Sequence, residues 1–184
     1  MVNFKLQLEN ESFSLIQTKT SHFEKLYSVA GNPVIWEQHP ENDRWKREVF
    51  IKFFQIAMEN TLGCFTIVDK TLDKFIGSTR FYSHDKIDNS IRVGYTFLSN
   101  EYWGTSVNLQ IKKLMLDYAF RHIDKVYFDI GEENFRSRKA TEKLGAVMHK
   151  KNSNGKLIYL LFKQDYVYKI NRFQSSFKLL KKII

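Results

Sequence analysis

Residues 91–108 read Ile91-Arg92-Val93-Gly94-Tyr95-Thr96-Phe97-Leu98-Ser99-Asn100-Glu101-Tyr102-Trp103-Gly104-Thr105-Ser106-Val107-Asn108. The β-branched and aromatic side chains up to Leu98 predict a strand, residues 91–98. The spacing of Leu109, Leu114, Met115, Tyr118 and Ala119 predicts a helix over 104–121. The segment is therefore a strand running into a helix start, where backbone N–H groups lack intrahelical acceptors and carry the positive end of the dipole. Small residues at such a place form a cradle for an anion such as a pyrophosphate. Ser106 and Asn108 are equally residues that cap helices, and their spacing does not choose between the two readings.

Upstream, residues 64–68 and 75–82 read as strands around a polar turn at 69–74, and a second turn at 84–90 leads into the strand of the opening segment. Nearer the N-terminus lie a short strand at 13–16 and a helix at 22–30, with Thr20 and Ser21 as candidate caps and Gly31-Asn32-Pro33 as its stop. Trp36-Glu37-Gln38-His39-Pro40 is irregular. A long helix then opens at Asn42 or Asp43 and carries Trp45, Val49, Phe50, Phe53, Phe54 and Met58 toward a core. Downstream the pattern alternates: a buried strand at 125–130, a helix at 137–144 ended by Gly145, and strands at 146–150 and 156–162 around the turn Asn152-Ser153-Asn154-Gly155. Antiparallel strands followed by strand-helix-strand-helix predict an α/β fold, a mixed sheet covered by helices. A ligand crevice belongs where strand order or direction changes, here at 98–108.

The 184 residues suit one core with an appendage: a domain over 1–164 and a tail over 165–184. With 43% hydrophobic residues, 16 Phe, 9 Tyr and 3 Trp, the chain can offset its entropy without cross-links, which excludes a disordered class. Cys64 is the single cysteine, so an internal disulfide and every multi-cysteine zinc site are excluded; as a lone Cys at a strand start it reads as packed core. His84, His122 and His149 have no metal-site spacing, so no metal is expected. No apolar leader or run of spanning length occurs, and the expectation is a cytoplasmic protein. The net charge of +9 favours anionic partners: a phosphorylated cofactor, nucleic acid, the ribosome or a lipid surface.

A second cluster, Asn134-Phe135-Arg136-Ser137-Arg138-Lys139-Ala140-Thr141-Glu142-Lys143-Leu144-Gly145, reads alone as a capped helix with a solvated basic face. In order, however, Gly94-Tyr95-Thr96-Phe97-Leu98, Tyr102-Trp103-Gly104, Asn134, Ser137 and Glu142-Lys143-Leu144-Gly145 resemble the GNAT superfamily of acetyl-CoA-dependent N-acetyltransferases. The resemblance is to the branch of the ribosomal-protein-alanine acetyltransferases and spans about residues 13–162. It implies a mostly antiparallel central sheet with a splayed strand pair, and acetyl transfer from acetyl-CoA to a primary amine, either a protein N-terminal α-amine or a small amine, by direct attack. It further implies that Phe97 and Leu98 flank the pantetheine, and that Trp103, Gly104, Thr105, Ser106, Val107 and Asn108 hold the pyrophosphate. Asn134 then positions the cofactor arm and Ser137 protonates the leaving sulfur. Two departures stand out. Ser106 and Asn108 replace the family's small Gly or Ala residues, and Thr141 stands where many members place a tyrosine acid.

Glu37 and His39 are the expected bases, in a loop that borders the acceptor groove of this fold, with Trp36, Pro40 and Arg44 shaping the same wall. Glu132 and Glu133 are the next candidates. The tail, with Lys169, Arg172, Lys178, Lys181 and Lys182 among Phe and Leu or Ile residues, reads as a basic amphipathic helix for packing, homodimer contact or an anionic surface. The competing reading is a catalytically impaired module of the same fold that binds CoA, RNA or the ribosome.

Overall fold

The computed structural model of the chain describes residues 3–4 and 6–167. Eight strands form one sheet: β1 (Leu8–Glu9), β2 (Phe13–Gln17), β3 (Cys64–Asp69), β4 (Lys74–Asp85), β5 (Ser90–Leu98), β6 (Lys125–Gly131), β7 (Val147–Lys151) and β8 (Lys156–Phe162). Their order is β1-β2-β3-β4-β5-β6-β8-β7. All neighbours are antiparallel except β5 and β6, which run parallel because a helical crossover joins them. The expected mixed α/β sheet is what forms.

Helix α1 (Phe23–Ala30) and helix α2 (Arg47–Glu59) bury an aromatic cluster on one face, where Phe50, Phe53 and Trp36 pack on Phe97. Helix α3 (Val107–Ala119) covers the main core through Val107, Ile111 and Met115, which cluster with Leu98. Side chains alternate along a strand, so the adjacent Phe97 and Leu98 serve opposite faces. Helix α4 (Phe135–Lys143) ends at Gly145, whose φ of 99° is the left-handed conformation expected of a C-terminal stop.

Two features of β5 create the site. It pairs with β6 only over Ser90–Arg92 against Lys125–Tyr127, although β5 continues to Leu98 and β6 to Gly131. Beyond that point the strands diverge, and edge N–H and C=O groups face an opening rather than a neighbour. On the other flank Ser78 pairs with Phe97 and Arg80 with Gly94, so Tyr95 and Thr96 together oppose Thr79. That is a β-bulge, and Tyr95 takes φ 51° within it.

Several boundaries differ from expectation. Thr20 and Ser21 do not cap α1; they lie in a 3-10 turn, Thr20–His22, whose His22 Nδ1 lies 2.9 Å from Thr66 Oγ1. Helix α2 begins at Arg47 instead of Asn42 or Asp43, and Trp45 lies outside it, partly exposed. Helix α3 starts at Val107 and α4 at Phe135. Cys64 is buried as expected, its sulfur near the hydroxyls of Thr18 and Ser78. The tail expectation for 165–184 falls outside the described residues from 168 onward; before that, Tyr166 is buried against Phe120 and hydrogen-bonds Asp117. Among the described residues no helix is long and apolar enough to cross a membrane.

Candidate active site

The diverging halves of β5 and β6 bound a cleft of about 400 Å³. Phe97, Leu98, Trp103, Gly104, Thr105, Asn108, Asn134 and Ser137 all line it, so most of the residues expected to hold a cofactor converge from three separate elements. Ser106 and Val107 do not line it: Val107 is buried in the main core, and Ser106 turns away to accept a hydrogen bond from Gln110 at 3.0 Å. The capping reading of Ser106 does not hold, because its side chain makes no capping bond. Thr105 does that work, accepting from the Val107 amide at 3.3 Å and donating to the Tyr102 carbonyl at 2.6 Å. Gly104 takes φ 74°, and nothing lies within 4 Å of where its Cβ would stand, so the backbone is open to the cleft.

At α4, Asn134 Oδ1 accepts from the Ser137 amide at 3.1 Å, which makes Asn134 the helix cap that its residue type allowed. This bond fixes the backbone of Ser137, which lines the cleft, and among the described residues no hydrogen bond engages its hydroxyl. Lys139 and Lys143, one turn apart and both exposed, are among the residues that line the cleft, as is the buried Thr141 between them. Arg136 is no solvated bystander. Its guanidinium stacks on Trp103, 3.7 Å from the ring centroid, and bonds the Val34 and Ile35 carbonyls, while its amide binds Gln38 Oε1. One residue thus ties α4, the start of α3 and the 34–38 loop together around the opening.

The two expected bases part company. Glu37 is exposed and does not line the cleft. His39 does line it, but it has no free lone pair: Nδ1 accepts from the Glu41 amide at 2.9 Å, which leaves the neutral ring's proton on Nε2, 3.2 Å from Arg44 Nη1. Burial, helped by the Arg44 charge, pulls the His39 pKa down to about 4, so the ring stays neutral at physiological pH. Pro40 packs directly on Gly131 at the end of β6, where a Cβ would meet the proline ring at 2.5 Å. Arg44 is buried, pairs with Glu41 at 2.5 Å and stacks on Trp36 and Phe53. Glu132 ion-pairs with Lys151 at 2.5 Å, and neither it nor Glu133 lines the cleft.

Sequence reading missed Lys112. It lies on the buried face of α3 with Ile111, Met115 and Leu116, lines the cleft, and donates to Thr96 Oγ1 of the bulge at 2.5 Å; Thr96 in turn contacts Thr79 Oγ1 at 2.7 Å. Burial without a carboxylate partner pulls its pKa down to about 7. A lysine interrupting the apolar stripe Ile111-Lys112-Met115-Leu116-Ala119 was the available signal.

Residues 13–147 match the family model described as acetyltransferase (GNAT) domain. Among solved structures, a GCN5-related N-acetyltransferase from Brucella melitensis superposes with a TM-score of 0.79 at 15% identity, over 93% of this chain and 85% of that one. The spermidine N-acetyltransferase from Vibrio cholerae, in complex with CoA and spermine, gives 0.67 at 15% identity over 86% and 99%. A Vibrio cholerae chain provisionally assigned as a ribosomal-protein-serine acetyltransferase gives 0.67 at 10% identity over 88% and 99%. At these identities the structures speak to fold alone. No curated protein matches the chain in sequence.

Proposed function

Because the chain belongs to the GNAT acetyltransferase family, we propose that it moves an acetyl group from acetyl-CoA to a primary amine by direct attack, within the cleft between β5 and β6. The single observation that carries this reading is the divergence of the two strands past Arg92 and Tyr127, beside the start of α3. The residues present fit the cofactor. Unpaired strand-edge groups suit an amide-rich pantetheine arm, the open backbone at Gly104 admits a close approach by phosphate, and Lys139 and Lys143 supply charge at the rim.

When bound, acetyl-CoA supplies the acetyl thioester. Edge amides of β5 near the bulge polarise the carbonyl, as preorganised donors do where negative charge develops. Ser137 gives its hydroxyl proton to the departing sulfur as the amine nitrogen bonds the carbonyl carbon and the carbon–sulfur bond breaks, and the serine regains a proton, through water, as the acylated nitrogen releases its own. Asn134 holds Ser137 in place through its amide. His39 offers the amine no lone pair, because Nδ1 accepts from the Glu41 amide and Nε2 carries the neutral ring's proton, and it acts as a positioning residue for the 39–41 turn. The amine therefore loses its proton to solvent, which an α-amine of pKa near 8 does readily compared with a lysine near 10.4. A protein α-amine, including a ribosomal protein N-terminus, and a small amine both remain within the proposal.

Thiol release from acetyl-CoA, followed across a panel of small amines and peptides, tests it. Amine-dependent release with one acetylated product per thiol is the expected result. Absence of release with every amine, together with no binding of CoA, would reject acetyl transfer.

A further inference from the structure

Beside the cleft, and sharing Tyr95 with it, is a second pocket of about 270 Å³ bordered by Arg80, Tyr82, Asn60, Glu59 and Ile56. Arg80 is its unusual member. It is 2% exposed, yet its Nε and Nη2 have no hydrogen-bond partner among the described residues. Among the described residues no carboxylate is ion-paired with it, and its charged or polar neighbours include Cys64, Tyr95, Tyr82 and a second cation, Arg44. The guanidinium instead rests on two aromatic faces, 4.2 Å from the centroid of Tyr95 and 4.8 Å from that of Phe53. Arg44 stacks on the same Phe53 ring at 4.7 Å, so two cations share one ring, and only Arg44 has its own carboxylate, Glu41.

We infer that this pocket takes the carboxylate of the amine acceptor, so that the preferred substrates are primary amines bearing a nearby carboxylate. The inference deepens the acetyl-transfer reading and rests on it for the word acceptor. A buried guanidinium with free donors is costly unless an anion completes it, and its planar fork matches a carboxylate. The position suits a substrate handle. Arg80 pairs with Gly94 across the bulge, and one ring, Tyr95, separates it from the cleft where the amine must lie. A single negative charge fits better than a phosphate dianion, because the Glu59 carboxylate borders the same pocket and the unpaired positive charge is one. For the same reason polyamines are disfavoured: Arg80 and Arg44 meet them with like charge.

The test uses the full chain and matched pairs: free L-amino acids beside their carboxamides, and short peptides beginning with Asp or Glu beside their Asn or Gln counterparts. Two readouts are kept separate, the melting shift on adding each acceptor without cofactor, and thiol release with acetyl-CoA. Wild-type protein should be stabilised by carboxylate members of the panel and acetylate them with kcat/KM at least about tenfold above their amides. Arg80→Met should lose that preference while melting no lower than wild type, since the substitution removes an unpaired buried charge. Equal binding and equal rates within every pair in the wild type would overturn the inference and leave acetyl transfer standing. Should no acceptor release thiol and CoA fail to bind, acetyl transfer fails by itself. The melting arm then decides the pocket: stabilisation by carboxylates in wild type but not in Arg80→Met upholds it, and stabilisation in neither refutes it.

Discussion

Ser137 lines the cleft while its amide is held by Asn134, so the chemical role proposed for its hydroxyl can be tested apart from its structural one. A donor that matters mainly in the transition state acts on rate more than on binding. Ser137→Ala is therefore expected to lower kcat by roughly 100-fold with little change in acetyl-CoA affinity, measured by steady-state thiol release and by titration. A large loss of affinity with turnover intact would make Ser137 structural. Lys112 gives a different kind of prediction. Its pKa in the folded protein is about 7, against about 10.4 for an ordinary lysine, so between those values the unfolded chain holds a proton that the folded chain has released. Stability must then rise with pH over that window, and the burial penalty is present in full below about pH 7. The melting temperature of wild type relative to Lys112→Met should climb between pH 7 and 10, and a flat difference would contradict the depressed pKa. At this scale the sequence was legible where residue type sets local geometry, as at Asn134, the cap of α4. It was opaque where the partner comes from another element. Nothing local distinguishes Arg44 or Arg80 from surface arginines, and only packing of α2 on the bulge turns them into buried cations.

Among the elements, α4 shows how a cap can support a site. Asn134 Oδ1 binds the amide of Ser137, so its removal should fray the residue proposed to protonate the leaving sulfur. Asn134→Ala should cost about 1 kcal/mol of stability, seen in denaturant unfolding, and should lower turnover as well. Asn134→Asp, which keeps the cap, should recover the stability; equal losses in both variants would show that the amide of Asn134 matters more than its oxygen. The strands and most helices were readable from periodicity, and Gly145 marked the end of α4 correctly. Starts were misread for a physical reason. Asn42 and Asp43 have cap chemistry, but the pull of Arg44 into the aromatic cluster and its pairing with Glu41 hold residues 42–46 in turns and delay α2 to Arg47. Likewise Thr20 and Ser21 lose the capping role to a 3-10 turn.

On the scale of the whole molecule, part of the net charge of +9 lies beside the cleft, which Lys139, Lys143 and Asn108 of the first turn of α3 line. The order of strands and helices carried the mixed sheet and the place of the crevice, since a parallel pair inside an antiparallel run needs a crossover and leaves an opening beside it. The bulge at Tyr95 and Thr96 could not be read, because it depends on the register between β4 and β5. The central claim is that this opening holds acetyl-CoA with its phosphates at the start of α3. Titration of acetyl-CoA into wild type and Asn108→Glu by calorimetry tests it most directly, since Asn108 lines the cleft in the first turn of α3. A carboxylate there favours the helix dipole and leaves folding intact, yet repels a pyrophosphate. Saturable one-to-one binding to wild type, weakened at least about tenfold in the variant, is the predicted result. No binding to wild type, or the same affinity in both proteins, would contradict the account.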